Sequence, residues 1–406
     1  MREQRGKSFG PPSPYCSCVF PHMDGVSDRA DPDTPCERGG APRGAVNLLR
    51  FRIPPSCDCS EHPPAQGGRT SVFYTVRFCP ELSFMPAAVI SIKPQRLPSP
   101  ALRRFSWAVL VYFIAVILWG TLVRATGSGA GCGNHWPLCN GTVMQHAPRV
   151  DTIIEFTHRI TSGLSFFSVV ALLAWTFAGT VRGHLARAAA VAAVGFTLIE
   201  AILGALLVKL GLTAQSQSPI RPAYLALHLA NTLLLLAAMT LTAHFLGRSQ
   251  GYRRGTIRLV APVSAILGLV VVMIVGVTGS LAALGDTLFP AASLGAALTQ
   301  DFSPTSGWLV RWRWTHPAIA FLACIFLIWL LMRAAQRSAH WDNRALSATM
   351  IVLLAFQYIF GVADVVLLAP IWLQLAHLLG ADALWTTLIV LTARLTLTPK
   401  AAGIRE

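Results

Sequence analysis

Eight stretches of the chain run for about 20 residues with few or no charged side chains, and short polar segments separate them. They lie at about 105 to 123, 153 to 178, 188 to 208, 223 to 245, 259 to 279, 314 to 332, 346 to 368 and 371 to 393. Roughly 20 helical residues cross the ~30 Å hydrocarbon core of a bilayer, and a chain in lipid must satisfy its own backbone hydrogen bonds. Each stretch therefore predicts a transmembrane helix. The fold class expected is all-α integral membrane, with eight spans.

Composition agrees: 53% of the 406 residues are hydrophobic and 13% are charged, far from the balance of a soluble domain. The formal charge of +15 is unevenly placed. Arg103 and Arg104, Arg182 and Arg187, the cluster Arg248, Arg253, Arg254 and Arg258, Arg333 to Arg344, and Arg394 to Arg405 all fall at one set of span ends. The opposite set, though longer in total, holds only Arg124, Arg149, Lys209, Arg221, Arg311 and Arg313. The basic side is expected to be cytoplasmic, with both ends of the membrane domain there. This charge serves orientation and contact with lipid headgroups, and with no compact basic domain it excludes nucleic-acid binding.

Residues 1–100 are rich in Pro, Gly, Arg and Ser and read as a basic, disordered extension. Cys16, Cys18, Cys36, Cys57, Cys59 and Cys79 include two C-x-C pairs but match no zinc-ligand spacing. Met85 opens a stretch that leads directly into the first span, so residues 1–84 read either as an upstream extension or as the result of a misassigned start.

The spans carry an internal repeat. The run Thr126-Gly127-Ser128-Gly129-Ala130 after the first span matches Thr278-Gly279-Ser280-Leu281-Ala282 after the fifth, and Thr157-His158 matches Thr315-His316. Glu200 with Gly204 aligns with Gln357 and Gly361, and His228 with His377. Four matches in one order argue for duplication. An even number of helices per repeat keeps both halves in the same orientation, giving two pseudo-symmetric four-helix bundles: a parallel repeat about an axis along the membrane normal. The expected units are 101–250 and 251–406.

His158, His228, His316 and His377 each fall in the first turns of an even-numbered span, so all four are expected at one depth near the outer face. Intramembrane ionisable groups usually face a bundle interior and mark function. Two imidazoles per bundle are too few for a closed zinc site, and a copper centre would want a third nitrogen or a thiolate. Haem suits them: its iron takes axial histidines and its apolar ring can fill a four-helix bundle. His135, His146, His184, His244 and His340 lie in loops or near span ends, where surface or headgroup roles are expected.

The segment Thr126 to Gly141 (TGSGAGCGNHWPLCNG), Glu155 to Arg159 (EFTHR), Gly285 to Pro290 (GDTLFP) and the histidines of the fourth, sixth and eighth spans together resemble the haem A synthase family, over about residues 105 to 395. The resemblance implies a haem b cofactor held in the C-terminal half and haem O as substrate in the N-terminal half. The reaction it implies oxidises a ring methyl group to a formyl group, making haem A for cytochrome oxidase. Carried over, His316 and His377 are the iron ligands of the cofactor, His158 and His228 the ligands of the substrate, Glu155 the catalytic carboxylate, and Cys132 and Cys139 a disulfide pair. Haem O synthase and an electron donor are implied as partners, and a homo-oligomer is compatible. Family members with a second cysteine pair carry it between the fifth and sixth spans, but residues 280 to 313 contain no cysteine.

Some readings stay open at the level of sequence. Glu155 precedes His158 by one helical turn, where the matching residue of the other half is Arg313, so only the N-terminal half has a carboxylate beside its histidine. Glu155 also stands at i−4 from Arg159, the spacing of a structural ion pair. Arg159 and Arg313 are expected to contact haem propionates. Glu200, Asp364 and Asp382 have no assigned role, and Cys324 reads as a small buried hydrophobe. A bis-histidine electron-transfer cytochrome b would need no Glu155, and a haem transporter would need only a site open to lipid. Haem O synthase is disfavoured because prenyl transfer needs Asp-rich motifs to hold magnesium and diphosphate.

Overall fold

The computed structural model describes residues 98–142, 148–247, 257–259, 263–337 and 341–399. Most of the N-terminal extension with its six cysteines, together with His146 and His340, lies outside them. Ten α-helices and one short 3-10 turn, Ser128–Ala130, are formed among the described residues: α1 (Pro100–Ala125), α2 (Val150–Gly179), α3 (Leu185–Lys209), α4 (Arg221–Gly247), α5 (Val263–Leu288), α6 (Leu294–Phe302), α7 (Trp308–Arg311), α8 (Thr315–Arg337), α9 (Trp341–Val366) and α10 (Ile371–Thr396). Eight spans are long and apolar enough to cross a membrane, with α7 and α8 contributing to one, Trp308–Gln336. The protein is a multi-pass membrane protein.

Local chemistry sets the helix ends. Ser99 caps α1, its hydroxyl accepting from the Leu102 amide, with Pro100 at the first helical position where a missing N–H costs nothing. His184 caps α3 through Nδ1, which accepts from the Ala186 amide. It is buried, not a surface residue as its loop position suggested, and burial, with Arg187 nearby, pulls its pKa below the ordinary value. His244 is likewise buried.

The fifth span differs most from its expected limits. It runs to Leu288, so Thr278-Gly279-Ser280 lies inside α5, whereas Thr126-Gly127-Ser128 follows the end of α1, with Gly127 in the left-handed region at φ 70°. These two runs share letters without sharing structure. Small and hydroxyl residues are tolerated in a membrane helix when they face another helix and bond their own backbone, as Thr278 Oγ1 does to the Ile274 carbonyl.

Within the N-terminal half α1, α2, α3 and α4 pack in a closed ring, each against its chain neighbours and α4 against α1. In the C-terminal half α5, α8, α9 and α10 do the same. Contacts between the halves pair α1 with α10, α5 with α4, and α4 with α10. The short strands β1 (Ile257–Leu259) and β2 (Leu397–Pro399) pair antiparallel, tying the chain after α4 to the chain after α10. Both segments thus emerge at the same end, as an even number of intervening spans requires.

The tightest packing lies toward that end. One apolar cluster joins the beginnings of α1 and α3 to the ends of α2 and α4, including Leu110, Leu172, Ala193 and Met239, and takes in Trp385 and Ile389 of α10. A second joins the end of α8, the beginning of α9 and the end of α10, through Leu331, Met350 and Leu388, and half-buried Cys324 packs on it. Trp385 donates from Nε1 to the Leu233 carbonyl at 2.7 Å across the halves. Near the opposite end Arg124 of α1 donates to the Ala283 carbonyl, Thr287 Oγ1 and Gln374 Oε1, joining α1 to α5 and α10.

Candidate functional site

The helices that carry His158, His228 and His377 begin at Val150, Arg221 and Ile371, which places these histidines eight, seven and six residues in, and His316 lies in the first turn of α8, after the break that separates it from α7. Two residues of helix amount to about 3 Å of rise, so these three sit at nearly one level, and His316 joins them beside His377. That level lies at the end of the bundles away from the tight clusters. His158 and His228 are within electrostatic reach of one another, and so are His316 and His377.

Each imidazole faces a glycine of a neighbouring helix. A methyl group in place of the Gly120 hydrogen would lie 2.9 Å from His158 Cε1, and one at Gly279 would lie 2.9 Å from His316 Cε1. The same construction at Gly361 meets His377 Cε1 at 3.2 Å and at Gly204 meets His228 Cε1 at 3.9 Å. Gly120, not Gly127, is therefore the structural counterpart of Gly279. The sequence held a signal for this, since Gly120 precedes His158 by nearly the interval that separates Gly279 from His316.

The imidazoles are underused by the protein. Nδ1 of His158, His228 and His377 is buried without a hydrogen-bond partner, and His316 Nδ1 has Thr278 Oγ1 at 3.2 Å. Buried polar nitrogens are normally satisfied, so three such rings within two bundles mark a built site. The described residues hold no group of three or more His, Cys, Asp or Glu side chains placed to bind a bare metal ion.

Glu155 is 3% exposed, and both its carboxylate oxygens are committed to the protein. Oε2 accepts from the Cys132 amide at 2.8 Å, and Oε1 accepts from Arg159 Nη2 at 2.6 Å in a buried ion pair. Arg159 Nη1 in turn donates to the carbonyls of His135 and Leu138 at 2.5 and 2.7 Å. The pair thus clamps the loop between α1 and α2. The Cys132 and Cys139 sulfurs lie 2.05 Å apart, at bonding distance, and Gly131 allows the loop to approach the start of α2, where Thr152 Oγ1 donates to its carbonyl. Arg159, expected to contact a propionate, gives Nη1 to the loop and Nη2 to Glu155.

Arg313 is likewise engaged by protein groups. It bonds Asp301 and Asp286, together with Gln300 Oε1 and the Phe289 carbonyl, anchoring the segment between α5 and α8. Arginine's five donors let one side chain hold a whole loop, a task whose partners are distant in sequence. Asp382 is buried with Oδ2 unpartnered, and Asp364 Oδ1 is also unpartnered. Glu200 faces His228 and accepts from Asn231 and Thr232, neither of which stood out in the sequence.

A family model described as cytochrome oxidase assembly protein, COX15-CtaA, matches residues 103–389. A haem A synthase from Alkalihalophilus pseudofirmus is 30% identical over 307 residues, covering 73% of this chain and 97% of that protein. The chain belongs to the haem A synthase family of cytochrome oxidase assembly proteins. A second family member, the haem A synthase of Halalkalibacterium halodurans, is 29% identical over 300 residues, covering 71% of this chain and 95% of its own. Higher identity, 41% over 290 residues, is found with a protein from Thermus thermophilus named protohaem IX farnesyltransferase. That match covers 71% of this chain but 47% of the Thermus protein, so the chain spans about half the length of this relative.

Proposed function

We propose that the protein is an oxidoreductase that converts haem O to haem A by oxidising a ring methyl group to a formyl group. The observation that carries this reading is the duplicated arrangement of paired imidazoles at one level, each against a glycine and three with an unsatisfied Nδ1. Membership of the haem A synthase family supports it. The expected membrane orientation puts the histidine level at the outer face, where the loop of Cys132 and Cys139 meets an oxidising compartment that favours their disulfide.

His158 and His228 hold the substrate iron, and Gly120 keeps the space that lets the His158 ring stand in the bundle. The Glu155–Arg159 clamp fixes the α1–α2 loop within one helical turn of His158, which limits water entry beside the reacting ring. In that position the Glu155 carboxylate also opposes positive charge developing on the substrate. In the other half the donor set fits a resident haem b: two imidazoles suit axial ligation of its iron, and Gly279 and Gly361 leave both rings room. His316 and His377 would hold that haem, which when bound supplies one-electron chemistry. The Thermus relative's name supports a farnesyltransferase as the source of haem O, and the spans of this chain contain no Asp-rich motif for prenyl transfer itself.

Expression with a haem O source, followed by extraction and chromatography of the haems, tests this. Hydroxylated or formylated haem is the expected product. Haem b alone, in two sites, would replace the enzyme with an electron-transfer cytochrome, a reading favoured by one observation: Glu155 is already fully bonded within the protein.

A further inference from the structure

The two halves differ at one position beside the histidines. In the N-terminal half Glu200 of α3 places Oε1 3.4 Å from His228 Nδ1. Its carboxylate is held there by α4 itself: Thr232 Oγ1 donates to Oε1, and Asn231 Nδ2 donates to Oε2 and also lies 2.9 Å from the Phe196 carbonyl. In the C-terminal half the aligned residue is Gln357, and its Nε2 donates to the His377 backbone carbonyl at 3.0 Å, not to the ring. Nδ1 of His228 and Nδ1 of His377 are both buried without a hydrogen bond, but only that of His228 has a carboxylate oxygen recorded beside it, at 3.4 Å. One histidine pair therefore includes an imidazole backed by a carboxylate, and the other does not.

From this juxtaposition we propose that Glu200 is a positioning residue for the substrate site: with Nε2 of His228 on the iron, the carboxylate 3.4 Å away closes on the Nδ1 proton as a hydrogen bond and makes His228 a stronger donor than His377. The inference rests on the reading that His228 ligates the substrate haem. A carboxylate behind a metal-bound histidine fixes its tautomer and raises its basicity. A stronger histidine donor favours the ferric state, lowering the reduction potential of its haem. The aligned Gln357 is neutral and bonds away from the ring, so the C-terminal haem keeps the higher potential. Electrons would then be held by the cofactor half, and the substrate iron would be the more electron-rich of the two when reduced. Thr232 adds a second handle. Its hydroxyl, which also lies 2.9 Å from the His228 carbonyl, withdraws charge from Oε1 and so tempers the pull on the Nδ1 proton.

The test uses full-length protein carrying haem b and loaded with haem O, read by spectroelectrochemistry and, in a His158→Ala background that leaves His228 as the one axial histidine, by the iron–histidine stretching band of the ferrous state. Glu200→Gln should raise the potential of the N-terminal haem and lower its stretching frequency. Thr232→Val, which removes a donor but keeps the carboxylate, should shift both in the opposite direction. The C-terminal haem, read in the same samples, should not move. A role limited to packing would give no opposed signs. His228→Ala separates the two ideas. If it leaves haem O binding intact, the ligation reading falls. If it abolishes binding while Glu200→Gln leaves potential and frequency unchanged, the ligation reading stands and the role of Glu200 is overturned. Should Glu200→Gln fail to assemble, the Thr232→Val shift decides alone, and no shift there overturns the proposal.

Discussion

Glu155→Gln is the substitution whose outcome the structure changes most. The carboxylate accepts from two donors, the Cys132 amide and the Arg159 guanidinium, and a glutamine of the same shape can accept from only one while turning an N–H toward the other. Both side chains are at least nine-tenths buried, so solvent screens little of the loss. A hydrogen bond involving a charged group contributes about 1.5–3 kcal/mol, and breaking one partner of a buried pair costs roughly 3–5 kcal/mol. Arg159 keeps its bonds to the His135 and Leu138 carbonyls, so we place the cost at about 2–4 kcal/mol, most of it localised to the loop. At about 1.4 kcal/mol per tenfold, the open loop becomes roughly 30- to 700-fold more populated. The assay is the rate at which dilute reductant exposes Cys132 and Cys139 to a maleimide, followed by mass spectrometry. Faster reduction by at least tenfold is expected, together with loss of haem O conversion and retention of haem b. A reduction rate equal to that of the parent protein would refute the clamp and leave any activity loss to catalysis alone.

Replacing His316 or His377 with Ala should strip the tightly bound haem b, whereas replacing His158 or His228 should leave it and abolish turnover; optical spectra of the purified variants distinguish the halves. Gly120→Ala and Gly279→Ala should each lower haem content in their own half, since a methyl 2.9 Å from an imidazole carbon costs roughly 1–3 kcal/mol, while Gly204→Ala, at 3.9 Å, should be tolerated. Arg124→Met removes three hydrogen bonds that join the halves and should lower stability in detergent by about 2–5 kcal/mol, measured as a fall in the thermal midpoint. Arg149→Met, at an exposed ion pair with Asp151, should leave the midpoint unchanged.

The spans were legible from sequence because bilayer thickness imposes one length and one polarity on every helix, whatever it packs against. The histidines were legible for a related reason: an ionisable group in lipid is costly enough that four at matched positions stand out. What each side chain touches is a different kind of fact. Glu155 and Arg159 bond at i,i+4 as their spacing allowed, but nothing in the spacing showed that the loop of Cys132 to Leu138 would use their remaining valences. Arg313 was aligned with a carboxylate and turned out to hold Asp286, Asp301 and Gln300, which only the return of a loop brings near it. Letters matched Gly127 to Gly279, yet the packing of α1 on α2 matches Gly120, because rotation and register between two helices set which residue meets a ring. Glu200 and Gln357 read as one repeated polar position. Their helix contacts separated them: an added negative charge, with Asn231 and Thr232 beside it, turns one side chain to an imidazole, while the neutral amide finds a backbone carbonyl. Span length and polarity are set residue by residue against a uniform solvent, and partners are set by the phase of one helix on another, which no single span encodes.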